Sequence, residues 1–247
     1  MSRRSKRGDK SWRMPNPKVV ARMDAAALCQ LLFRIDNRLP LPLARAITAR
    51  GAEAVESLVA IACDEAPWWD DAVGFWPSRH ALILLKQVGD ARAVAPLLEL
   101  MLTLRAQDYF WLLSDGALQA LQGIGAPALE PVMAELEDTE HAETQEVLIS
   151  ILAGLGVRDD RIWSLLVAQL SREPDRAALN FTDYGDDAAL PLLHKALAAA
   201  TIRPPTDGDI LENRAFIELE GAIIRLGGEL TPAEQVRSST LRSLYRW

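Results

Sequence analysis

The sequence predicts an all-α protein, a right-handed α-solenoid (superhelix) of stacked helical hairpins. Alanine and leucine dominate its apolar residues and runs of β-branched residues are scarce, which favours helix over strand. A helix-breaking glycine recurs along the chain, and apolar residues three and four positions apart flank each break. Each hairpin would have an apolar stripe that it cannot bury alone, so it must stack on its neighbours. We therefore expect about ten to twelve helices and no sheet.

The helix-breaking glycine is clearest between Ala117 and Asp138, where the chain reads ALQALQGIGAPALEPVMAELED. Four such glycines stand 36, 31 and 29 residues apart: Gly89, Gly125, Gly156 and Gly185. A large apolar residue precedes each of them by four positions: Leu85, Leu121, Leu152 and Phe181. This repetition indicates one structural unit that is used several times rather than a single helical hairpin.

The residues around each break have the chemistry of a helix end followed by a helix start. Glycine accommodates the left-handed conformation that closes the first helix. Acidic residues follow at Asp90, Asp186 and Asp187, where a helix N-terminus favours negative charge. A proline comes a few residues later, in the first turn of the second helix. Backbone N–H groups in that turn make no intrahelical hydrogen bond, so proline is tolerated there. These prolines are Pro96, Pro131 and Pro191.

Composition and turn signals divide the chain into four segments. They are, in order, a basic tail interpreted as disordered (1–22), N-terminal helices with a degenerate capping repeat (23–66), the repeats (67–230) and a C-terminal capping helix (231–247). In the last segment Thr231 and Glu234 have the spacing of a capping box, with proline at the first helical position. This pattern predicts a helix from Pro232 to about Tyr245.

The segment ALQALQGIGAPALEPVMAEL resembles the HEAT-like repeats of the phycobilin lyase group and of many bacterial HEAT-repeat proteins. Those repeats have a helix ending in Ala-Leu-x-x-Ile-Gly, a short turn, and a second helix with Pro-Leu-Leu. The resemblance covers about residues 50–230 and is strongest from Trp76 to Asp138. The family's arginine at the start of the first helix is replaced by Ser78, Ser114 and Gln145. The resemblance implies a fold and almost no chemistry, because the shared residues are core and turn residues.

Charge is distributed unevenly between the tail and the rest of the chain. Residues 1–22 hold eight lysine and arginine residues and one aspartate, a net charge of +7. The remaining residues hold 19 basic and 33 acidic side chains, a net charge of −14. So acidic a body repels phosphate backbones, which argues against nucleic-acid binding. The tail has the charge to contact nucleic acid, an acidic partner or the body itself, and we interpret it as solvated.

Residue types that carry catalysis or bind metals are sparse. The histidines, His80, His141 and His194, lack metal-ligand spacing, and the sequence has no nucleophile or phosphate-binding motif. Cys29 and Cys63 lie among apolar residues, as is typical of small buried side chains in a reducing compartment. We therefore expect no metal, no cofactor and no catalytic residue. The sequence has neither a secretory signal nor an apolar stretch of about 20 residues, which predicts a cytoplasmic protein with no membrane partner.

Two insertions before the repeats are rich in tryptophan and aspartate. They lead into Trp76 and Leu112, which both stand 13 residues before a repeat glycine, so the insertions leave adjacent repeats at equivalent points. Insertions in solenoids gather on one face, where exposed aromatic rings anchor partners. The alternative is that the rings fill the wedge between helix pairs. The candidate partner-binding residues are Trp68, Trp69, Asp70, Asp71, Trp76, Asp108, Tyr109, Trp111 and Asp115.

A second regularity lies ten residues before each repeat glycine, where three of four residues are acidic. Stacked repeats would place these side chains in a row, an acidic ladder. The ladder either stabilises the stack through inter-repeat hydrogen bonds and helix N-terminal charge, or forms an acidic strip that receives a basic peptide. Its members are Arg79, Asp115, Glu146 and Asp175.

These observations favour a non-catalytic scaffold or adaptor that binds a protein or a basic peptide through an acidic, tryptophan-rich face. An enzyme of the HEAT-repeat lyase or hydroxylase type is the alternative, and it would require recurring His-Glu pairs or a reactive exposed cysteine. Nucleic-acid binding is a second alternative, and it would require a basic concave groove.

Overall fold

The computed structural model describes residues 13–70, 73–105, 111–203 and 210–245. Within these ranges all regular secondary structure is helical, with fourteen α-helices and seven short 3-10 helices. The all-α prediction is confirmed. The fourteen α-helices exceed the ten to twelve expected, because two short helices, of four and five residues, come before the predicted repeats. No helix in the described part of the chain is both long and apolar enough to cross a membrane.

The chain divides at the Gly-Ile-Gly break into two compact units, unit 1 (Met1–Ile124) and unit 2 (Gly125–Trp247). The helices of unit 1 are α1 (Pro17–Val20), α2 (Ala25–Cys29), α3 (Leu41–Thr48), α4 (Val55–Ala62), α5 (Trp76–Val88), α6 (Val94–Arg105) and α7 (Trp111–Ile124). Those of unit 2 are α8 (Leu129–Asp138), α9 (Ala142–Ala153), α10 (Asp160–Arg172), α11 (Pro174–Tyr184), α12 (Leu190–Ala199), α13 (Arg214–Arg225) and α14 (Pro232–Tyr245). The division lies inside the segment 67–230 that the sequence assigns to the repeats.

A short helix lies inside the segment that the sequence predicts to be disordered. α1 begins after Asn16, whose side chain accepts a hydrogen bond from the backbone N–H of Lys18 at 2.9 Å. Pro17 suits the first helical position, where no N–H is needed. The tail is therefore helical over residues 17–20, and residues 1–12 lie outside the described ranges.

Three of the four repeat glycines, Gly89, Gly125 and Gly185, directly follow a helix as predicted, whereas α9 ends at Ala153, three residues before Gly156. Gly89 and Gly185 have left-handed backbones, with φ of 66° and 69°, and each N–H donates to the carbonyl four residues earlier. Asp90 then caps the following turn, because its carboxylate accepts a hydrogen bond from the backbone N–H of Arg92 at 2.9 Å. The three repeat prolines lie within the first three residues of α6, α8 and α12.

In unit 1 the long helices pack in a regular pattern. α5 contacts α4 and α7, and α7 also contacts α6. α5 and α7 approach closely at two glycines: a Cβ on Gly116 would meet Leu82, and a Cβ on Gly123 would lie 2.9 Å from the backbone oxygen of Lys86. Leu82 of α5 faces Gly116 of α7, and further along both helices Lys86 faces Gly123. The two helices therefore run parallel.

Unit 2 repeats this packing pattern. α11 contacts α9 and α13, and each of these three helices also packs on the helix before it. Aromatic side chains fill the core: the Trp163 ring lies 5.5 Å from that of Phe181 and 6.2 Å from that of Tyr184, centroid to centroid. Phe181, Tyr184 and Phe216 are buried, so these rings belong to the interior.

Arginine side chains connect the turn of one repeat to the preceding repeat. In unit 1, Arg92 pairs with Asp90 at 2.9 Å and donates to the backbone carbonyl of Ala52 at 2.6 Å. In unit 2, Arg161 at the equivalent position forms an ion pair with Glu130 at 2.6 Å. Side-chain hydrogen bonds from Arg92 lower the pKa of Asp90 to about 2. These contacts fix neighbouring repeats within each unit.

The last helix confirms the predicted capping box, because α14 spans Pro232–Tyr245. The Thr231 N–H donates to the Glu234 carboxylate at 2.8 Å, and the Glu234 N–H donates to Thr231 Oγ1 at 3.3 Å. His194 Nδ1 lies 2.9 Å from Glu234 Oε1 and joins α12 to α14. Burial raises the pKa of Glu234, but the hydrogen bonds from His194 and Thr231 outweigh it, so the pKa is lowered overall.

Candidate functional site

Trp68 lies in the core of unit 1 rather than on its surface. The residue is 6% exposed, and its indole Nε1–H donates to Ser78 Oγ at 2.8 Å. Ser78 donates in turn to the backbone carbonyl of Ile61 at 3.0 Å, so the ring is held between α4 and α5. Trp68 therefore fills the wedge between helices, which corrects its assignment as a partner-facing residue.

Trp69 and Trp111 are the exposed tryptophans of the two insertions. They are 66% and 68% exposed, respectively. Trp69 ends the 3-10 helix Ala66–Trp69, and Trp111 is the first residue of α7. Exposed aromatic rings of this kind are the side chains that anchor partners at protein interfaces. Three residues of the predicted set, Asp71, Asp108 and Tyr109, lie outside the described ranges.

Trp76 is half-buried at the start of α5. Its ring centroid lies 4.7 Å from that of Phe75 and 6.4 Å from that of His80. The guanidinium of Arg79 lies 5.6 Å from the Trp76 ring centroid, a cation–π distance. Trp76 thus packs mainly within unit 1, and part of it remains accessible.

The parallel packing of α5 and α7 brings the starts of both helices to the same end of unit 1. Trp76 begins α5 and Trp111 begins α7. Leu82 faces Gly116 and Lys86 faces Gly123, offsets of 34 and 37 residues (116 − 82 and 123 − 86), so Trp111 lies at the level of residues 74–77, at the start of α5. This register supports the prediction that the two insertions leave neighbouring helices at equivalent points.

Exposed carboxylates accompany the two exposed tryptophans. Asp70 follows Trp69 directly and is exposed. Asp115 lies one turn after Trp111 in α7, and it accepts a hydrogen bond from Gln119 Nε2 at 2.8 Å. Aromatic area beside negative charge suits a ligand that is basic and partly apolar.

The acidic ladder holds repeats together in unit 2. Glu146 of α9 forms an ion pair with Arg176 of α11, and Asp175 of α11 pairs with Arg214 of α13 at 3.4 Å. Glu146 thus meets an arginine of α11 and Asp175 an arginine of α13, which favours stabilisation between helices over an open acidic strip. In unit 1 the ladder residue Arg79 lies over an aromatic ring instead.

His80 is buried in unit 1 and stacks on the Trp76 ring. Its Nε2–H donates to the backbone carbonyl of Asp36 at 2.7 Å, and within the described ranges its Nδ1 has no hydrogen-bond partner. Burial lowers the pKa of His80, the hydrogen bond to Asp36 opposes this, and the charge of Arg79 adds to the lowering. Across the described residues, no three His, Cys, Asp or Glu side chains lie close enough together to hold a metal ion.

A groove between α4 and α6 in unit 1 is a feature that sequence reasoning missed. Its cavity volume is about 280 Å³. Its lining includes apolar side chains, a thiol and two carboxylates: Val59, Pro96, Leu100, Cys63, Glu65 and Glu99. Cys63 is consequently half-buried rather than buried, whereas Cys29 is fully buried and its pKa is raised by burial to about 11. No sequence motif contains both Glu65 and Glu99. Only their positions in successive predicted repeats could have indicated that they line the same groove.

The chain has no match among protein-family models, curated proteins or solved structures. The resemblance to HEAT-like repeats therefore depends on the repeated residues themselves. The function must be inferred from the geometry of this chain.

Proposed function

We propose that this protein is a non-catalytic scaffold or adaptor that binds a basic, partly apolar segment of another protein. The binding surface is the Trp edge, which we define as Trp69, Asp70, Trp76, Trp111 and Asp115. One observation carries the proposal: two tryptophans, each about two-thirds exposed, stand at or just before the starts of the parallel helices α5 and α7.

The energetics of the Trp edge fit this role. Covering the exposed two-thirds of a tryptophan, which has roughly 200 Å² of surface, would contribute about 3 kcal/mol before the entropy cost of association. The carboxylates of Asp70 and Asp115 would steer a basic partner and discriminate against an acidic one. Two rings with flanking carboxylates therefore supply both affinity and selectivity.

We further propose that the helices form a right-handed HEAT-like solenoid and that the protein is cytoplasmic. The shared packing pattern of the long helices in each unit supports the repeat architecture. So do the arginines that join each turn to the preceding repeat, Arg92 and Arg161. Both cysteines are free thiols, which suits a reducing compartment.

Affinity capture with matched variants tests the proposed binding surface. The full chain, the Trp69→Ala/Trp111→Ala variant and the Leu41→Ala/Val236→Ala variant would each be used to capture proteins from the source cell. The control removes two other exposed apolar side chains, which are 60% and 67% exposed. We expect wild type and control to retain the same proteins and the tryptophan variant to lose them, with equal helix content by circular dichroism. Equal capture by all three chains would contradict the proposal.

A further inference from the structure

The α4–α6 groove adjoins the Trp edge along the chain. Its α4 wall extends to Glu65, four residues before Trp69. Its α6 wall extends to Thr103, near the end of the helix that precedes Trp111. Both walls of the groove therefore lead into the segments that carry the exposed tryptophans.

The groove combines an apolar wall with negative charge. Cys63 Sγ lies 4.0 Å from the backbone oxygen of Pro96, so the thiol spans the two helices at the base. Burial, and then the charge of Glu99, raises the pKa of the Cys63 thiol, and both residues line the groove. Glu65 and Glu99 are both exposed, and no lysine or arginine is among the described residues that line the groove.

The size of the groove restricts what can occupy it. A cavity of about 280 Å³ is smaller than most pockets for small ligands, which hold roughly 300–1,000 Å³. A space of this size accommodates one long side chain. A lysine or arginine has the matching chemistry, because it lays its methylene groups on apolar surface while its charged end reaches a carboxylate.

We infer that the α4–α6 groove binds one lysine or arginine side chain of the partner segment, with the methylene groups against Val59 and Leu100 and the cation paired with Glu65 and Glu99. The inference rests on the proposed function for the partner itself. The groove would add a binding site for a cationic side chain to the Trp edge. A partner would then be recognised by an apolar residue and a basic residue on one segment.

Selection from a random decapeptide phage library tests this inference without knowledge of the partner. The full chain is the bait, and the selection is repeated on Glu65→Gln/Glu99→Gln and on the control Glu53→Gln/Glu56→Gln. The control changes the net charge equally at exposed carboxylates outside the groove. We expect wild type and control to enrich peptides with a lysine or arginine near an apolar residue, and the groove variant to lose that enrichment.

Dissociation constants of one enriched synthetic peptide then give the decisive numbers. We expect Glu65→Gln/Glu99→Gln to weaken binding by about tenfold or more and the control to change it by less than about twofold. Ala60→Trp, which fills the groove from an exposed position without changing charge, should weaken binding similarly. Unchanged binding by both groove variants, or the absence of any basic enrichment, would overturn the inference.

The same measurements separate this inference from the proposed function. Loss of binding in Trp69→Ala/Trp111→Ala together with normal binding in the groove variants would retain the Trp edge and reject the groove. The reverse result would retain the groove and reject the Trp edge. Two further results would contradict the inference, because they would show that this chain itself occupies the groove. One is a change of self-association in the groove variants, measured by light scattering. The other is a rise in peptide affinity of more than about tenfold on removal of residues 1–12.

Discussion

The two units share a pattern of helix contacts but differ near the starts of the helices at its centre. In unit 1, insertions precede α5 and α7 and carry the exposed Trp69 and Trp111. In unit 2, α9 and α11 carry Glu146 and Asp175 in their first halves, and these carboxylates pair with arginines of α11 and α13, respectively. Residues near the helix starts thus carry exposed aromatic rings in unit 1 and ion pairs between helices in unit 2.

The largest effect is expected from two adjacent tryptophans in the first insertion. Trp68→Ala should lower the free energy of unfolding of unit 1 by about 3–5 kcal/mol, because it removes a buried ring and leaves a cavity. Trp69→Ala should change it by less than about 0.5 kcal/mol, because that ring is exposed. Denaturant unfolding followed by circular dichroism measures both. Similar losses in the two variants would show that Trp69 is also a core residue.

The close approach of α5 and α7 is expected to give the next largest effect. Gly123→Ala forces a Cβ against the Lys86 backbone, so we expect a loss of about 1–3 kcal/mol despite the better helix propensity of alanine. Gly116→Ala is the matched control, since its Cβ would meet the side chain of Leu82, which can move. Thermal unfolding should rank Gly123→Ala well below Gly116→Ala. The opposite ranking would refute the parallel contact.

Local chemistry made some of this architecture predictable from sequence. Gly89, Gly185 and the capping box at Thr231 and Glu234 act through the backbone within a few residues, so the helix ends they imply were confirmed, whereas α9 ends three residues before Gly156. Trp68 and Trp69 could not be distinguished, because the direction in which a short 3-10 turn points depends on where the next helix packs. Glu99 could not be recognised either, since the groove exists only after α4 and α6 come together.

The acidic ladder should give a smaller difference between the units. Glu146→Gln and Asp175→Asn each weaken an inter-repeat ion pair whose arginine is half-exposed, so we expect a loss of about 0.5–1 kcal/mol. Asp115→Asn in unit 1 should have an effect close to zero, because this carboxylate contacts Gln119 of its own helix. Urea unfolding at low and high salt measures the difference. An equal loss at Asp115 would mean that the ladder also stabilises unit 1.

The smallest effect concerns the pH dependence of unit 1. Burial lowers the pKa of His80 in the folded state, so the unfolded chain binds the proton more readily. Stability is therefore fully present above the unfolded pKa of about 6.5, and it falls as the pH drops from there to the folded pKa. His80→Gln should flatten this part of the stability curve. An unchanged slope in His80→Gln would contradict the assignment.

The central claim, that the Trp edge is the binding surface, is tested most directly by the indole N–H resonances of the tryptophans. The chain has seven, and single substitutions assign them. During titration with the enriched decapeptide, we expect the Nε1–H signals of Trp69 and Trp111 to shift. Those of Trp68, hydrogen-bonded to Ser78, and of Trp163, half-buried against Phe181 in unit 2, should stay in place. Saturable binding with the Trp69 and Trp111 signals unmoved would contradict the account.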